Sequence, residues 1–113
     1  MTSLSCLALI IYMEASTQSS FTQSLVADVA IARAEKEKLP ICSSMKKPKS
    51  YSWMWDGRNT KVKKDKLKTL EEIANKELKR NRIRTRFYFN ECTLGKRFKT
   101  PNKMVRSEKL CFY

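Results

Sequence analysis

The chain has 113 residues, 42% of them hydrophobic, with eleven aromatic side chains, two Gly and three Pro; it has room for one domain with a modest core and is too rich in core formers for a disordered tail. There is no His, which excludes Ser-His and Cys-His nucleophile pairs, imidazole bases and histidine-ligated metals. Twenty-four Lys and Arg against 11 Asp and Glu give a net charge of +13, a field that attracts polyanions and weakens with salt: nucleic acid, anionic lipid or the acidic polymers of a cell wall.

Thr2 or Ser3 can cap a first helix, expected over Ser3 to Ala15, which is apolar on all sides and therefore belongs in the core. The apolar stretch Leu4 to Met13 lacks a basic leader and a small-residue cleavage site and is too short to span a bilayer, so it reads as a buried helix and not as an export signal. The polar cluster Ser16-Thr17-Gln18-Ser19-Ser20 reads as a turn that starts a second helix, Phe21 to Lys38. In it Phe21, Leu25, Val26, Val29 and Ala30 share the buried face, Arg33 to Lys38 are solvated, and Pro40 ends the run.

From Ile41 to Asn59 no period is sustained, and the stretch reads as a loop with at most a short strand. A third helix is expected over Lys63 to Lys79, with Leu67, Leu70, Ile73, Ala74 and Leu78 as its apolar stripe. The basic run Lys79 to Arg86 follows, and from Phe87 the tail reads as loops with short strands or helical turns. Cys6, Cys42, Cys92 and Cys111 form no C-x-x-C pair, so structural zinc is not expected; the even count permits two bridges in any of three pairings, but without an export signal the thiols read as reduced and mostly buried.

Without His, and with Gly57 and Gly95 as the only glycines, phosphate-cradling loops are absent and carboxylate chemistry remains, of which glycoside cleavage is the main example. Glu14 follows an apolar run, so desolvation should raise its pKa and keep a proton available, as a general acid requires; the competing reading is a helix-end carboxylate that reaches solvent. Asp28 and Asp56 can approach it only through the fold. Tyr51, Trp53 and Trp55 are candidates for a sugar groove or for core, with Trp55 read as core. The basic runs interleaved with Phe87 and Tyr88 also fit a single-strand nucleic-acid binder, although no helix-turn-helix, zinc finger or RNA-recognition motif is present.

The order of motifs adds a resemblance. Cys6-Leu7-Ala8-Leu9-Ile10-Ile11-Tyr12-Met13-Glu14-Ala15 resembles the signature of the SleB-type cell-wall hydrolases, the spore-cortex-lytic enzymes and their phage relatives. Val26 to Ala34 resembles their next helix, Ile41-Cys42 and Tyr51-Ser52-Trp53 their cysteine and Phe-Ser-Trp motifs, and Phe87 to Asn90 with Phe112-Tyr113 their closing segments. The resemblance implies an α+β, mostly helical, lysozyme-like domain over 1–113 with a small β-containing lobe. It implies cleavage of peptidoglycan glycan between N-acetylmuramic acid and N-acetylglucosamine as a lytic transglycosylase or muramidase, with Glu14 catalytic and Tyr12, Gln18, Tyr51, Ser52, Trp53, Tyr88 and Asn90 holding substrate.

No cofactor or metal is expected, and the protein is expected to be a monomer that reaches the wall or periplasm after passing the membrane by a route other than its own signal. Met13 stands where the family has histidine, Gln18 at a second acidic position and Ala32 at an asparagine. The alternatives are an inactive member that binds wall or a host protein, and a basic nucleic-acid-binding protein.

Overall fold

The computed structural model describes residues 1–48, 50–80, 83–92 and 104–113. Its first helix, α1 (Ser3–Ala15), starts where Thr2 accepts the Ser5 amide at 3.0 Å. Cys6 to Ile11 and Ala15 are all buried, because α1 is surrounded by α2 (Ser20–Glu37), α3 (Ile41–Lys46) and α4 (Lys64–Lys79). Burial on every side is what an unbroken apolar run requires, and each fully buried Leu or Ile contributes about 1.5–3 kcal/mol. A radius of gyration of 13.3 Å is that of a compact chain of this length.

Ser19 caps α2 by accepting the Thr22 amide. The far end of α2 closes with Lys38 in the left-handed region at φ 56°, where the Lys38 and Leu39 amides reach the carbonyls of Glu35 and Ala34. Val26, Val29 and Ala30 are buried as expected and Leu25 partly so, but Phe21 is 63% exposed. It lies in the first turn of α2, where Thr22 and Gln23 take the inward positions: Thr22 bonds Ser107 at 2.6 Å and Gln23 donates to the Ala15 carbonyl at 3.0 Å.

The stretch expected to be a loop contains α3, with Ile41, Ser44 and Met45 inward. Six residues are too few to display a helical period, and tertiary contact makes the helix. A disulfide between Cys6 and Cys42 fastens α3 to α1, and a second joins Cys92 to Cys111. The reading of four reduced thiols is thereby corrected. Spacing alone does not reveal the pairing, since partners 36 and 19 residues apart in sequence become neighbours only through the fold. Replacing Cys6 and Cys42 together by Ser is expected to lower the unfolding free energy by about 2–4 kcal/mol, the usual effect of opening one bridge. Urea midpoints of the variant and of the native protein measure this loss, and equal midpoints would contradict the pairing.

Beyond a single 3₁₀ turn at Ser52–Met54, helix α4 turns Leu70, Ala74 and Glu77 inward and leaves Leu78 at the surface. The tail forms a three-stranded antiparallel sheet from β1 (Phe89–Glu91), β2 (Val105–Ser107) and β3 (Leu110–Phe112), with β3 in the centre. Phe112 pairs with Phe89 on one side and Val105 on the other, and Leu110, Phe112 and the helices share one hydrophobic cluster. Phe112 and Tyr113 are packed, as the aromatic terminus suggests.

Glu108, in the β2–β3 turn, accepts the Ser19 amide at 2.7 Å and the Thr22 hydroxyl at 3.0 Å, so the sheet docks on the start of α2. The architecture is thus α+β and mostly helical, with a small antiparallel sheet. No helix among the described residues is long and apolar enough to cross a membrane. Asn81 and Arg82 of the basic run and Thr93 to Lys103 of the tail lie outside the described residues.

Candidate active site

Glu14 occupies the last turn of α1, where the buried helix meets the surface, and it is half-buried. The indole of Trp53 donates its Nε1–H to Glu14 Oε1 at 2.7 Å. The 3₁₀ turn that carries Trp53 explains the alternation around it: three residues per turn place Ser52 and Trp55 together on the outer side. Trp53 is 1% exposed and Trp55 61%. Trp55, read from sequence as core, is therefore an open indole two residues from the one that holds the carboxylate.

Desolvation pushes the Glu14 carboxyl above the usual carboxylate range. The Trp53 hydrogen bond and the positive fields of Arg33 and Arg58 pull it down without cancelling the rise. The site therefore has the elements of a general acid: a carboxyl held by one donor, biased towards its protonated form, with two cations close enough to stabilise the anion once the proton has left.

Arg33 was expected in solvent with the rest of the α2 terminus. Instead it is half-buried, its guanidinium 4.7 Å above the Tyr51 ring and 5.9 Å from that of Tyr88, and it donates to the Ser50 carbonyl at 3.2 Å. The signal was present in the sequence: the small-residue run Ala30-Ile31-Ala32-Arg33-Ala34 continues the apolar segment through Arg33. Arg58 carried no such signal; it pairs with Asp56 at 2.9 Å.

Of the other expected site residues, Tyr51 is 3% exposed and tilted against Trp53 with ring centroids 5.7 Å apart. Burial, set against the Arg33 field, pushes its hydroxyl up to about 12. Neither Tyr51 nor Trp53 offers an open ring face to a sugar; together they form the wall that supports Arg33 and Glu14. Ser52 is exposed on the outer side of the turn. Tyr12 lies two positions before Glu14, about 200° away around α1. It faces α4, with Lys66 Nζ 5.7 Å from its ring centroid, and is not brought to the carboxylate.

Gln18 follows in the turn after α1, with its Oε1 buried and accepting no hydrogen bond from the described residues. Tyr88 is 48% exposed beside Arg33. Asn90 is half-buried, and its Oδ1 accepts the Tyr113 hydroxyl at 3.2 Å.

Asp28, weighed as a second carboxylate for Glu14, is occupied elsewhere, 2.9 Å from the buried guanidinium of Arg84. Among the described residues no group of three or more Cys, Asp or Glu is arranged to hold a metal ion.

Replacing Trp53 by Phe removes the donor while keeping an aromatic ring. Because that hydrogen bond lowers the Glu14 pKa, the pKa is expected to rise further, and NMR titration of the Glu14 side chain should show its midpoint at higher pH than in the native protein. An unchanged midpoint would mean that the indole does not act on the carboxylate.

No family model, curated protein or solved structure matches the chain.

Proposed function

We propose that this protein cleaves the glycan strands of peptidoglycan between N-acetylmuramic acid and N-acetylglucosamine, as a lysozyme-like domain with Glu14 as its acid and then its base. The observation that carries the proposal is the Glu14–Trp53 pair. Two motifs of the SleB-type resemblance, 39 residues apart in sequence, meet in one hydrogen bond at a carboxyl whose burial favours the protonated form. The cysteines of the same two regions, Cys6 and Cys42, are likewise joined.

In the proposed reaction Glu14 gives its proton to the glycosidic oxygen as the bond to the muramic acid anomeric carbon breaks. The muramic acid 6-hydroxyl closes on that carbon, and its proton passes to the Glu14 carboxylate, restoring the acid and leaving a 1,6-anhydro end. An internal nucleophile dispenses with a second carboxylate to activate water, consistent with the commitment of Asp28 to Arg84. Arg33, Arg58 and the Trp53 N–H stabilise Glu14 while it is anionic. Ser52 and Trp55 on the outer side of the turn, with Gln18 beyond the helix end, provide the surface for sugar.

The net charge of +13 favours residence on an acidic wall. Two disulfides fit a protein that works outside the reducing cytoplasm. Mass spectrometry of the material released from purified sacculi tests the reading. Anhydro-muropeptides are the expected products; reducing ends would make it a hydrolase acting through water. The absence of soluble fragments, with the protein still sedimenting on sacculi, would leave a wall-binding module, the reading that Met13 and Gln18 favour by departing from the family pattern.

A further inference from the structure

We infer that the groove between the C-terminal half of α2 and the Phe87–Tyr88 segment binds the carboxylate of a peptide stem on the strand that is cleaved at Glu14. The inference rests on the proposed cleavage and adds a second point of recognition, for peptide, beside the one for sugar.

The groove has a volume of about 400 Å³ and is lined by Arg33, Lys36, Glu37, Lys47, Phe87 and Tyr88. That is the size of an ordinary small-ligand site. Three cations face one carboxylate, and this carboxylate is already engaged. Glu37 receives Lys47 at 2.9 Å and the Ser44 hydroxyl at 2.5 Å. Although desolvation raises its pKa, these bonds and the fields of Lys47 and Arg33 outweigh that effect, so Glu37 stays ionised below its usual range. Counting it against the three cations leaves Arg33 and Lys36 in excess, the complement of an anionic ligand.

The aromatic wall is fixed by the backbone. The Phe87 and Tyr88 amides both reach the main-chain oxygen of Tyr113, at 2.6 and 3.2 Å, and the Tyr113 amide returns to the Tyr88 carbonyl at 2.8 Å. Lys36 Nζ lies 4.9 Å from the Phe87 ring centroid. A ligand with a carboxylate on a partly apolar stem matches cations set against rings. A nucleic-acid strand instead calls for a succession of open rings along a basic track, and here Phe87 is half-buried beside Lys36.

Packed side chains also link the groove to the proposed catalytic centre. Arg33 borders it and stacks on Tyr51, Tyr51 packs on Trp53, and Trp53 holds Glu14.

Calorimetric titration of the full chain with a soluble disaccharide-tripeptide, in free-acid and in carboxamide form, tests the inference. The acid is expected to bind roughly tenfold more tightly, the effect of one charge-assisted contact. Lys36→Gln, a change at an exposed position, should shrink that difference several-fold by weakening the binding of the acid more than that of the carboxamide. Equal binding of acid and carboxamide, or a difference that Lys36→Gln leaves unchanged, would overturn the inference, and so would displacement of the peptide by oligothymidine at equal or lower concentration.

Glycan stripped of its peptides separates the two proposals. Cleavage as fast as that of intact sacculi would remove the groove's role while keeping Glu14's. Lys36-dependent peptide binding by a protein that cleaves neither substrate would keep the groove and remove the cleavage reading.

Discussion

Glu14→Gln is expected to reduce the release of fragments from sacculi by about 10²–10⁴-fold, the range that a positioned general acid supplies, without loosening the fold. The amide keeps an oxygen that can accept the Trp53 N–H and has nearly the shape of the acid, so binding to sacculi should persist. Stability gives an independent readout with a definite sign. A carboxyl whose pKa is higher in the folded than in the unfolded chain favours folding below the unfolded value, and that contribution is lost as the pH rises through the raised folded value. Because the Glu14 pKa is raised by burial, the ionised side chain is a cost to the native protein at neutral pH. The variant should therefore unfold at a higher temperature than the native protein at pH 7, with the gap closing towards pH 4. Equal cleavage by the two proteins would remove Glu14 from the chemistry, and a variant less stable at pH 7 would contradict the desolvated environment.

The parts of this site that were legible in the sequence are those carried by long elements. Helix α1 follows from a cap and an unbroken apolar run, and α2 and α4 from a period near 3.6, so the position of Glu14 at the mouth of a buried helix could be read directly. What could not be read depends on residues far apart in the chain. Trp53 was weighed between core and groove. It is buried, yet its polar edge holds the Glu14 carboxyl, a combination that no local pattern distinguishes. The exposure of Trp55 follows from a turn of three residues, too short to show a period.

Helix α3 owes its existence to Ile41 and Met45 meeting the core and to the bridge at Cys42. The strands, at three residues each, are likewise below the length at which alternation carries information. Arg33 was misplaced because charge was given more weight than its small neighbours. An arginine within a run of alanines has room to lie along the helix and reach a partner element, and here it reaches Tyr51.

The largest effect on stability is expected at Arg84, which the sequence shows as one more cation in a basic run. Its Nε lies 2.9 Å from Asp28 and its Nη1 3.2 Å from Glu35, while Nη2 donates to the Glu77 carbonyl at 2.8 Å and to that of Arg80 at 3.3 Å. One side chain thus ties α2 to the end of α4 and satisfies carbonyls that the helix end leaves open. The side chains of Asp28 and Arg84 are 3% and 6% exposed, so removing the guanidinium takes an ion-pair partner from a buried carboxylate that water does not reach. Arg84→Ala should lower the unfolding free energy by about 3–5 kcal/mol, a large fraction of the 5–15 kcal/mol typical of a domain. Arg84→Lys should recover only part of the loss, because an ammonium cannot span both helices as a planar fork does. The double variant Asp28→Asn with Arg84→Met should be more stable than Arg84→Ala, since the buried carboxylate is neutralised along with the loss of the guanidinium. Denaturant unfolding of the set decides the matter: an Arg84→Ala loss within about 0.5 kcal/mol, as for an ordinary surface substitution, would mean that the guanidinium is solvated and that α2 and α4 are held together by their apolar contacts alone.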